Sequence, residues 1–128
     1  MSFANFVETQ LPCMRRYAFA VLDDISRADA CVEQVLLNLL EERSVSGAAL
    51  QPMRRVDLFV RLQHVLQTSA MVRRQDRSRH VLLLLEMEQL SINKVSLILD
   101  IPLEDLWRLV NSEEYAALRI AALRHAVL

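Results

Sequence analysis

Apolar side chains recur every three or four residues along most of this chain, which is the spacing of an amphipathic α-helix. The first such run begins at Pro12, whose ring suits the first turn of a helix, and Asp23 ends it. Its apolar positions are Met14, Tyr17, Ala18, Val21 and Leu22. The pattern therefore predicts a first helix that opens at Pro12.

A second helix is predicted over residues 27–43, because Ser26 and Asp29 have the spacing of a capping box. Its apolar positions exceed the single stripe that burial requires, since Leu37 and Leu40 widen the stripe that contains Val35. This width has two interpretations. Either the helix is generously buried, or one face packs in the core and another contacts a protein partner.

The segment Ser44–Pro52 contains the one glycine of the chain and predicts a linker. Further helices are predicted beyond it at residues 53–69, 76–88, 92–99, 103–110 and 112–127. Ser91 is a good N-cap for the 92–99 helix, and Asn111 and Glu114 have capping-box spacing at the last one. Two short helices joined by the turn Asp100–Pro102, after a longer apolar helix, form a helix-turn-helix layout.

These elements predict an all-α protein with two small helical subdomains. The predicted organisation is a helical subdomain at residues 1–44, a linker and connecting helix at 45–75, and a helix-turn-helix subdomain at 76–128. A single glycine also excludes the glycine-rich phosphate loops and the strained nucleophile turn that several enzyme classes require.

Charge is balanced over the whole chain but not along it. The chain has 15 basic and 16 acidic residues, yet residues 45–80 carry 7 basic against 2 acidic groups. Both ends are acidic. The basic patch predicted in this middle part consists of Arg54, Arg55, Arg73, Arg74 and Arg77. It is interpreted either as a solvated connector or as a contact for nucleic acid or an acidic partner.

No residue pattern indicates catalysis or a cofactor. The three histidines are far apart and lack metal-ligand spacing, and no nucleophile is paired with a base. Cys13 and Cys31 are too few for a disulfide framework and suggest a reducing compartment. The N-terminus lacks the features of a signal peptide, and the longest apolar stretch, Val81–Leu85, is too short to span a membrane. We therefore expect a cytoplasmic protein that is not an enzyme and holds no metal.

The 103–110 helix occupies the recognition position of the helix-turn-helix but lacks the chemistry to read DNA. Glu104 and Asp105 stand at the end that would enter the groove, where they would repel phosphate. Leu103, Leu106, Trp107 and Val110 instead form a helical stripe. The stripe is interpreted as core or as a face shared between the core and a partner.

This layout resembles that of extracytoplasmic-function sigma factors. Region two of that group resembles the segment Leu11–Ala18 of this chain. Region four resembles the segment that begins with Arg79–Glu86 and continues through Pro102. Sigma factors carry an Asp-Leu-Val-Gln-type stretch in region two, where this chain has Ala30-Cys31-Val32-Glu33. The residues used for polymerase and promoter contact are thus replaced.

The chain is more similar to the sigma-like domain of PhyR-type general stress response regulators. The similarity lies in Asp29–Leu40, Arg55–His64 and Leu90–Leu99. It implies a sigma-factor mimic, an anti-anti-sigma protein that binds a NepR-type anti-sigma factor and frees the sigma factor by partner switching. PhyR-type regulators also carry a receiver domain, for which these 128 residues show no alternating strand and helix pattern. The chain is therefore expected to be a stand-alone mimic or an excised domain.

The wide apolar faces and the resemblance together predict where a partner binds. The predicted partner-binding residues are Tyr17, Val35, Leu37, Leu40, Leu82, Leu85, Leu103, Leu106, Trp107 and Val110. Two alternatives remain open. One is a divergent sigma factor or DNA-binding regulator that uses the basic patch on phosphate, and the other is a module that buries its apolar faces on a second copy of itself.

Overall fold

A computed structural model describes residues 2–46, 53–68 and 77–127, and all the regular structure in these ranges is helical. The helices are α1 (Phe3–Leu22), α2 (Ile25–Ser46), α3 (Arg55–Thr68), α4 (Arg77–Leu82), α5 (Ile92–Leu99), α6 (Leu103–Val110) and α7 (Glu113–Val127). A π-helical turn, Leu83–Met87, continues α4. The predicted all-α class is confirmed. None of the helices in the described ranges is long and apolar enough to cross a bilayer.

The first helix begins nine residues before the predicted start, so the prediction that Pro12 opens it is wrong. Ser2 is the N-cap, and its hydroxyl accepts a hydrogen bond from the Asn5 N–H. Pro12 lies inside α1. A proline within a helix removes one backbone hydrogen bond and crowds the preceding turn. The twenty-residue helix persists because Met14, Tyr17 and Ala18 are buried against its neighbours.

Two predicted caps also differ from those observed. At α2 the Asp24 carboxylate, not Ser26, accepts from the Arg27 N–H. At α7 the Ser112 hydroxyl, not Asn111, accepts from the Tyr115 N–H at 3.2 Å. Each true cap lies within two residues of the predicted one, because Asp, Ser and Asn all cap well and spacing alone does not choose among them. The predicted Ser91 cap of α5 is observed, with Ser91 Oγ accepting from the Lys94 N–H.

The chain divides into two compact units, Met1–Val72 and Arg73–Leu128. We call them the N-terminal unit and the C-terminal unit. Helix α3, assigned by sequence to a connecting segment, packs on α1 and α2 within the N-terminal unit. It does so because Val56, Phe59, Leu62 and Leu66 form a buried stripe.

The N-terminal unit combines an apolar core with one buried polar contact. The Tyr17 ring packs edge-on against Phe59, with centroids 5.6 Å apart. The Tyr17 hydroxyl donates to Gln63 Oε1 at 2.7 Å, joining α1 to α3. Outside the core, Arg15 forms a two-pronged ion pair with Asp29 of α2, and this contact raises the pKa of the Arg15 guanidinium.

The C-terminal unit is built around the leucine run. Five consecutive side chains, His80 to Leu84, are buried, which a regular amphipathic helix on a surface does not allow. The π-helical turn Leu83–Met87 follows, and its end is closed by hydrogen bonds from Glu88 N–H to Leu83 O and from Leu90 N–H to Leu84 O. Gln89 between them is left-handed, with φ 54°. Helix α4 is therefore wrapped by apolar neighbours on most sides.

Candidate partner-binding surfaces

Four of the predicted partner-binding side chains lie in the core. Tyr17 and Val35 are buried in the N-terminal unit, and Leu82 and Leu106 are buried in the C-terminal unit. They sit on the inner edge of each amphipathic helix, where periodicity gives the same signal for core and interface. The apolar surface that the structure offers is therefore narrower than the predicted set.

Leu37 and Leu40 of α2 are the exposed part of the predicted surface in the N-terminal unit. Leu37 is 52% exposed and Leu40 is 58% exposed. The buried residues Val32, Val35 and Leu39 lie on the other side of this helix. Helix α2 thus presents a wide apolar face that is partly buried and partly exposed, and contact of the exposed part with a partner stays a prediction.

Helix α6 carries the exposed part of the predicted surface in the C-terminal unit. Leu106 points into the core, whereas Leu103 and Trp107 are 40% and 49% exposed and Val110 is half-buried. Leu85, also predicted, is half-buried at the π-helical turn. The side chains of Leu103, Trp107 and Val110 recur at four- and three-residue spacing, so they share one side of the helix. We call these three residues the α6 stripe.

The amino end of α6 is acidic in the structure as in the sequence. Glu104 and Asp105 are exposed in the first turn, with Asp105 3.7 Å from the Arg108 guanidinium. Carboxylates are favoured at a helix amino terminus, so they stabilise α6. The same carboxylates would face the phosphates of a duplex if α6 entered its major groove. This helix is built for packing rather than for reading bases.

The predicted basic patch has residues in both units, and the structure describes three of its five arginines. Arg54 pairs with Asp57 at 3.4 Å, the Arg55 guanidinium lies 5.4 Å from the Phe59 ring centroid, and Arg77 is exposed. Arg73 and Arg74 lie outside the described residues. Arg54 and Arg55 therefore serve contacts within α3, which favours the interpretation of this stretch as a solvated or structural segment.

An open groove between α2 and α3 was not predicted. Its volume is about 920 Å³. It is lined by Val35, Asn38, Glu41, Glu42, Val60, Arg61, His64 and Val65. An ion pair crosses it, with Arg61 Nη1 2.7 Å from Glu42 Oε2. Val60, which lines the groove, is exposed, and the sequence pattern does not distinguish it from the buried apolar residues of α3.

The described residues hold no cluster of three or more His, Cys, Asp or Glu side chains suited to a metal ion. Burial raises the pKa of the Cys31 thiol, which lowers the fraction of the reactive thiolate at a given pH. Burial also raises the pKa of Tyr115, with a further contribution from Glu86 that Arg119 partly opposes. Burial is the largest cause of both shifts, so they reflect packing.

The chain has two helical units, one with three long helices and one with a helix-turn-helix. In the second unit the helix at the recognition position, α6, carries carboxylates in its first turn. Residues 7–64 match the family described as the sigma2 domain of PhyR. The predicted resemblance to the PhyR-type sigma-like domain is confirmed for this segment, which lies within the N-terminal unit. The matched segment includes Leu37 and Leu40 and every residue that lines the groove except Val65.

A solved structure has the same fold across both units. It is the anti-anti-sigma factor PhyR complexed with the anti-sigma factor NepR from Bartonella quintana, with a TM-score of 0.68 and 22% sequence identity. The match covers 86% of this chain and 48% of the PhyR chain, so this chain spans about half the length of that protein. A comparison with curated proteins finds no match.

Proposed function

We propose that this chain is a sigma-factor mimic that binds a NepR-type anti-sigma factor and so releases the sigma factor to activate general stress response transcription. The proposal is supported by a sigma-like fold that contains a segment similar to the PhyR sigma2 domain. In this fold the helix at the recognition position is acidic at the end that would face DNA. A mimic has to keep the surfaces that an anti-sigma factor recognises, whereas it has no use for base-reading side chains.

The contact surfaces under this proposal are Leu37 and Leu40 on α2 and the α6 stripe. Each combines exposed apolar side chains with nearby carboxylates, Glu33 and Glu41 on α2 and Glu104 and Asp105 on α6. Apolar side chains supply the binding free energy when a partner covers them, and the surrounding charges select the partner and speed its encounter. An amphipathic helix is the form of partner that such strips accept.

The test is a calorimetric titration of the purified chain with the NepR-type anti-sigma factor of the same organism. One-to-one binding is expected, and the chain should then displace the sigma factor from a preformed complex with the anti-sigma factor. Leu40→Asp and Trp107→Asp should each weaken binding at least tenfold while leaving the helical circular dichroism spectrum unchanged, because both side chains are about half exposed.

A folded chain that fails to bind the anti-sigma factor at micromolar concentration overturns this proposal. The same preparation is then titrated with promoter DNA at several salt concentrations. A steep loss of affinity with salt would indicate phosphate contacts and favour a DNA-binding regulator instead. Arg77→Glu serves there as the variant that should reduce DNA binding without affecting the anti-sigma factor.

A further inference from the structure

Helix α6 presents exposed apolar side chains with charged residues along one flank. Leu103 and Trp107, one helical turn apart, are exposed, whereas Leu106 on the adjoining side is buried in the core. Glu104 and Arg108 directly follow the two exposed apolar residues, so each lies about 100° further around the helix axis. The flank beside Leu103 and Trp107 therefore carries a carboxylate and a guanidinium that are also one turn apart.

Both charged groups of this flank have capacity for a further contact. The Arg108 side chain is 80% exposed, and its described contact is with Asp105 at 3.7 Å, which is longer than a hydrogen bond. Glu104 is exposed in the first turn of α6 and forms no ion pair with another described residue. An intermolecular ion pair can therefore form here without breaking a hydrogen bond that the structure describes.

The order of these residues makes the surface complementary to itself. When two identical helices pack antiparallel around a two-fold axis, each flank faces the same flank of the other helix. Leu103 of one copy then lies opposite Trp107 of the second copy, and Glu104 of one copy lies within a turn of Arg108 of the second. A parallel pair would place this flank against the opposite one, on the side of the buried Leu106, and would pair no charges.

We propose that two copies of this chain associate through the α6 stripe, with α6 antiparallel to its counterpart and Glu104 of each copy paired with Arg108 of the other. An eight-residue helix is about 12 Å long, so the contact is smaller than the roughly 1,200 Å² at the lower limit of stable complexes. The dimer is therefore transient, with a dissociation constant of about 0.1 mM.

Self-association covers the same stripe that the proposed function gives to the anti-sigma factor. Because one surface cannot hold two occupants, the dimer and the complex with the anti-sigma factor exclude each other. This consequence rests on the proposed function, whereas the self-association itself does not. It would hold part of the chain inactive at high concentration until the anti-sigma factor displaces the second copy.

Sedimentation equilibrium from about 10 μM to about 2 mM measures the association of the unaltered chain. A monomer–dimer equilibrium is expected. Trp107 is the one tryptophan of the chain, so its front-face fluorescence emission should shift to shorter wavelength as dimer forms and water leaves the indole ring. A monomer at every concentration overturns the proposal, and so does a dimer in which the Trp107 emission does not change.

Two charge reversals test the position and the direction of the contact. Glu104→Arg and Arg108→Glu each place like charges together twice across the interface and should weaken the dimer at least tenfold. Mixed in equal amounts, the two variants restore both pairs of opposite charge. The mixture should therefore associate at least as tightly as the unaltered chain.

Arg27→Glu is the matched control. Arg27 on α2 lies 3.7 Å from Asp24, three residues before it, as Arg108 lies 3.7 Å from Asp105. This variant should change the dimer affinity less than twofold, and circular dichroism verifies that all variants keep their helices. Equal weakening in Arg27→Glu and Arg108→Glu, no weakening in either α6 variant, or a mixture of the α6 variants that stays monomeric would each overturn the proposal.

The anti-sigma factor is then added to the dimer in equimolar amount. Conversion to a complex with one copy of each protein supports a shared surface, and a complex that retains two copies of this chain overturns it. If the unaltered chain does not bind the anti-sigma factor at all, the proposed function fails. Sedimentation of the charge-reversed variants still decides the self-association in that case, so the two failures are distinguishable.

Discussion

The two units differ in the length of their helices and in how their cores accommodate a buried tyrosine. The N-terminal unit has three helices of 20, 22 and 14 residues, whose core contains a tyrosine with its hydroxyl bonded to Gln63. The C-terminal unit is made mostly of shorter helices, and its buried Tyr115 hydroxyl has no hydrogen-bond partner among the described residues. Among the described residues, the buried tyrosine hydroxyl of the first unit is hydrogen-bonded and that of the second unit is not. Two of the three left-handed non-glycine residues described, Gln89 and Asp100, lie in the second unit.

The left-handed residues at these helix ends follow from the near-absence of glycine in the sequence. Helix ends commonly need one left-handed residue, which glycine adopts without strain. In the C-terminal unit Gln89 and Asp100 take that conformation, with φ of 54° and 53°. Packing of the leucine-rich helix α4 and its π-helical turn therefore has to offset the strain at both positions. The comparison predicts that glycine substitutions can stabilise the C-terminal unit at two described positions, Gln89 and Asp100, and the N-terminal unit at one, Asp23 at the end of α1, where φ is 55°.

The largest expected effect is a difference in unfolding free energy between variants of two adjacent α6 residues, Leu106 and Trp107. Leu106→Ala removes a fully buried side chain and should cost about 2–5 kcal/mol of unfolding free energy. Trp107→Ala removes a half-exposed one and should cost less than about 1 kcal/mol while abolishing tight partner binding. Denaturant unfolding followed by circular dichroism measures both. Similar losses of stability in the two variants would show that Trp107 belongs to the core.

Replacing the buried tyrosine of each unit with phenylalanine should have opposite effects on stability. Tyr17→Phe leaves Gln63 without its buried donor and should cost about 1–3 kcal/mol. Tyr115→Phe removes a buried hydroxyl that has no partner and should be neutral or stabilising by up to about 1 kcal/mol. Thermal and denaturant unfolding of the two variants give the comparison. A destabilised Tyr115→Phe would mean that its hydroxyl has a partner after all, such as an ordered water.

Much of this contrast could not be predicted from the sequence, for identifiable reasons. The five-residue apolar run Val81–Leu85 predicts a buried helix, but periodicity gives no sign that Leu83–Met87 becomes a π-helical turn. Pro12 signals a helix start by propensity, and tertiary burial of Met14 and Tyr17 overrides that signal. Helix α5 and its Ser91 cap were predicted in full because the cap, the apolar spacing and the following turn agree.

The candidate partner-binding surfaces could also be predicted only in part from the sequence. Leu37 and Leu40 were identified because they exceed the width that one buried stripe needs, and both are exposed. Leu82 and Leu106 gave an equally good apolar signal and are buried, since spacing records which residues share a face and not what covers that face. The α2–α3 groove depends on where two helices approach each other, which no single-helix pattern contains.

The left-handed helix ends allow a gain of stability in the C-terminal unit. Gln89→Gly should stabilise it by about 1 kcal/mol, because a glycine avoids the crowding between the β-carbon and the backbone carbonyl. Asp100→Gly should gain less, about 0.5 kcal/mol, since aspartate tolerates this conformation better than glutamine. Gln89→Ala is the control and should give no gain. A loss of stability in Gln89→Gly would mean that the Gln89 side chain makes a contact that outweighs its backbone strain.

The smallest expected effect concerns the two cysteines of the N-terminal unit, both free thiols. Burial raises the pKa of the Cys31 thiol, so its reactive thiolate form is scarcer at any pH below that pKa. Cys13, on α1, is half-buried. Iodoacetamide should therefore modify Cys13 first, and Cys31 should react several-fold more slowly, with the two separated by peptide mass spectrometry and by the Cys13→Ser variant. Raising the pH should accelerate Cys31, because it increases the thiolate fraction. Equal rates in the folded chain would mean that α2 opens away from α1 and α3 on the labelling timescale, and the buried face of α2 would then be accessible to a partner as well.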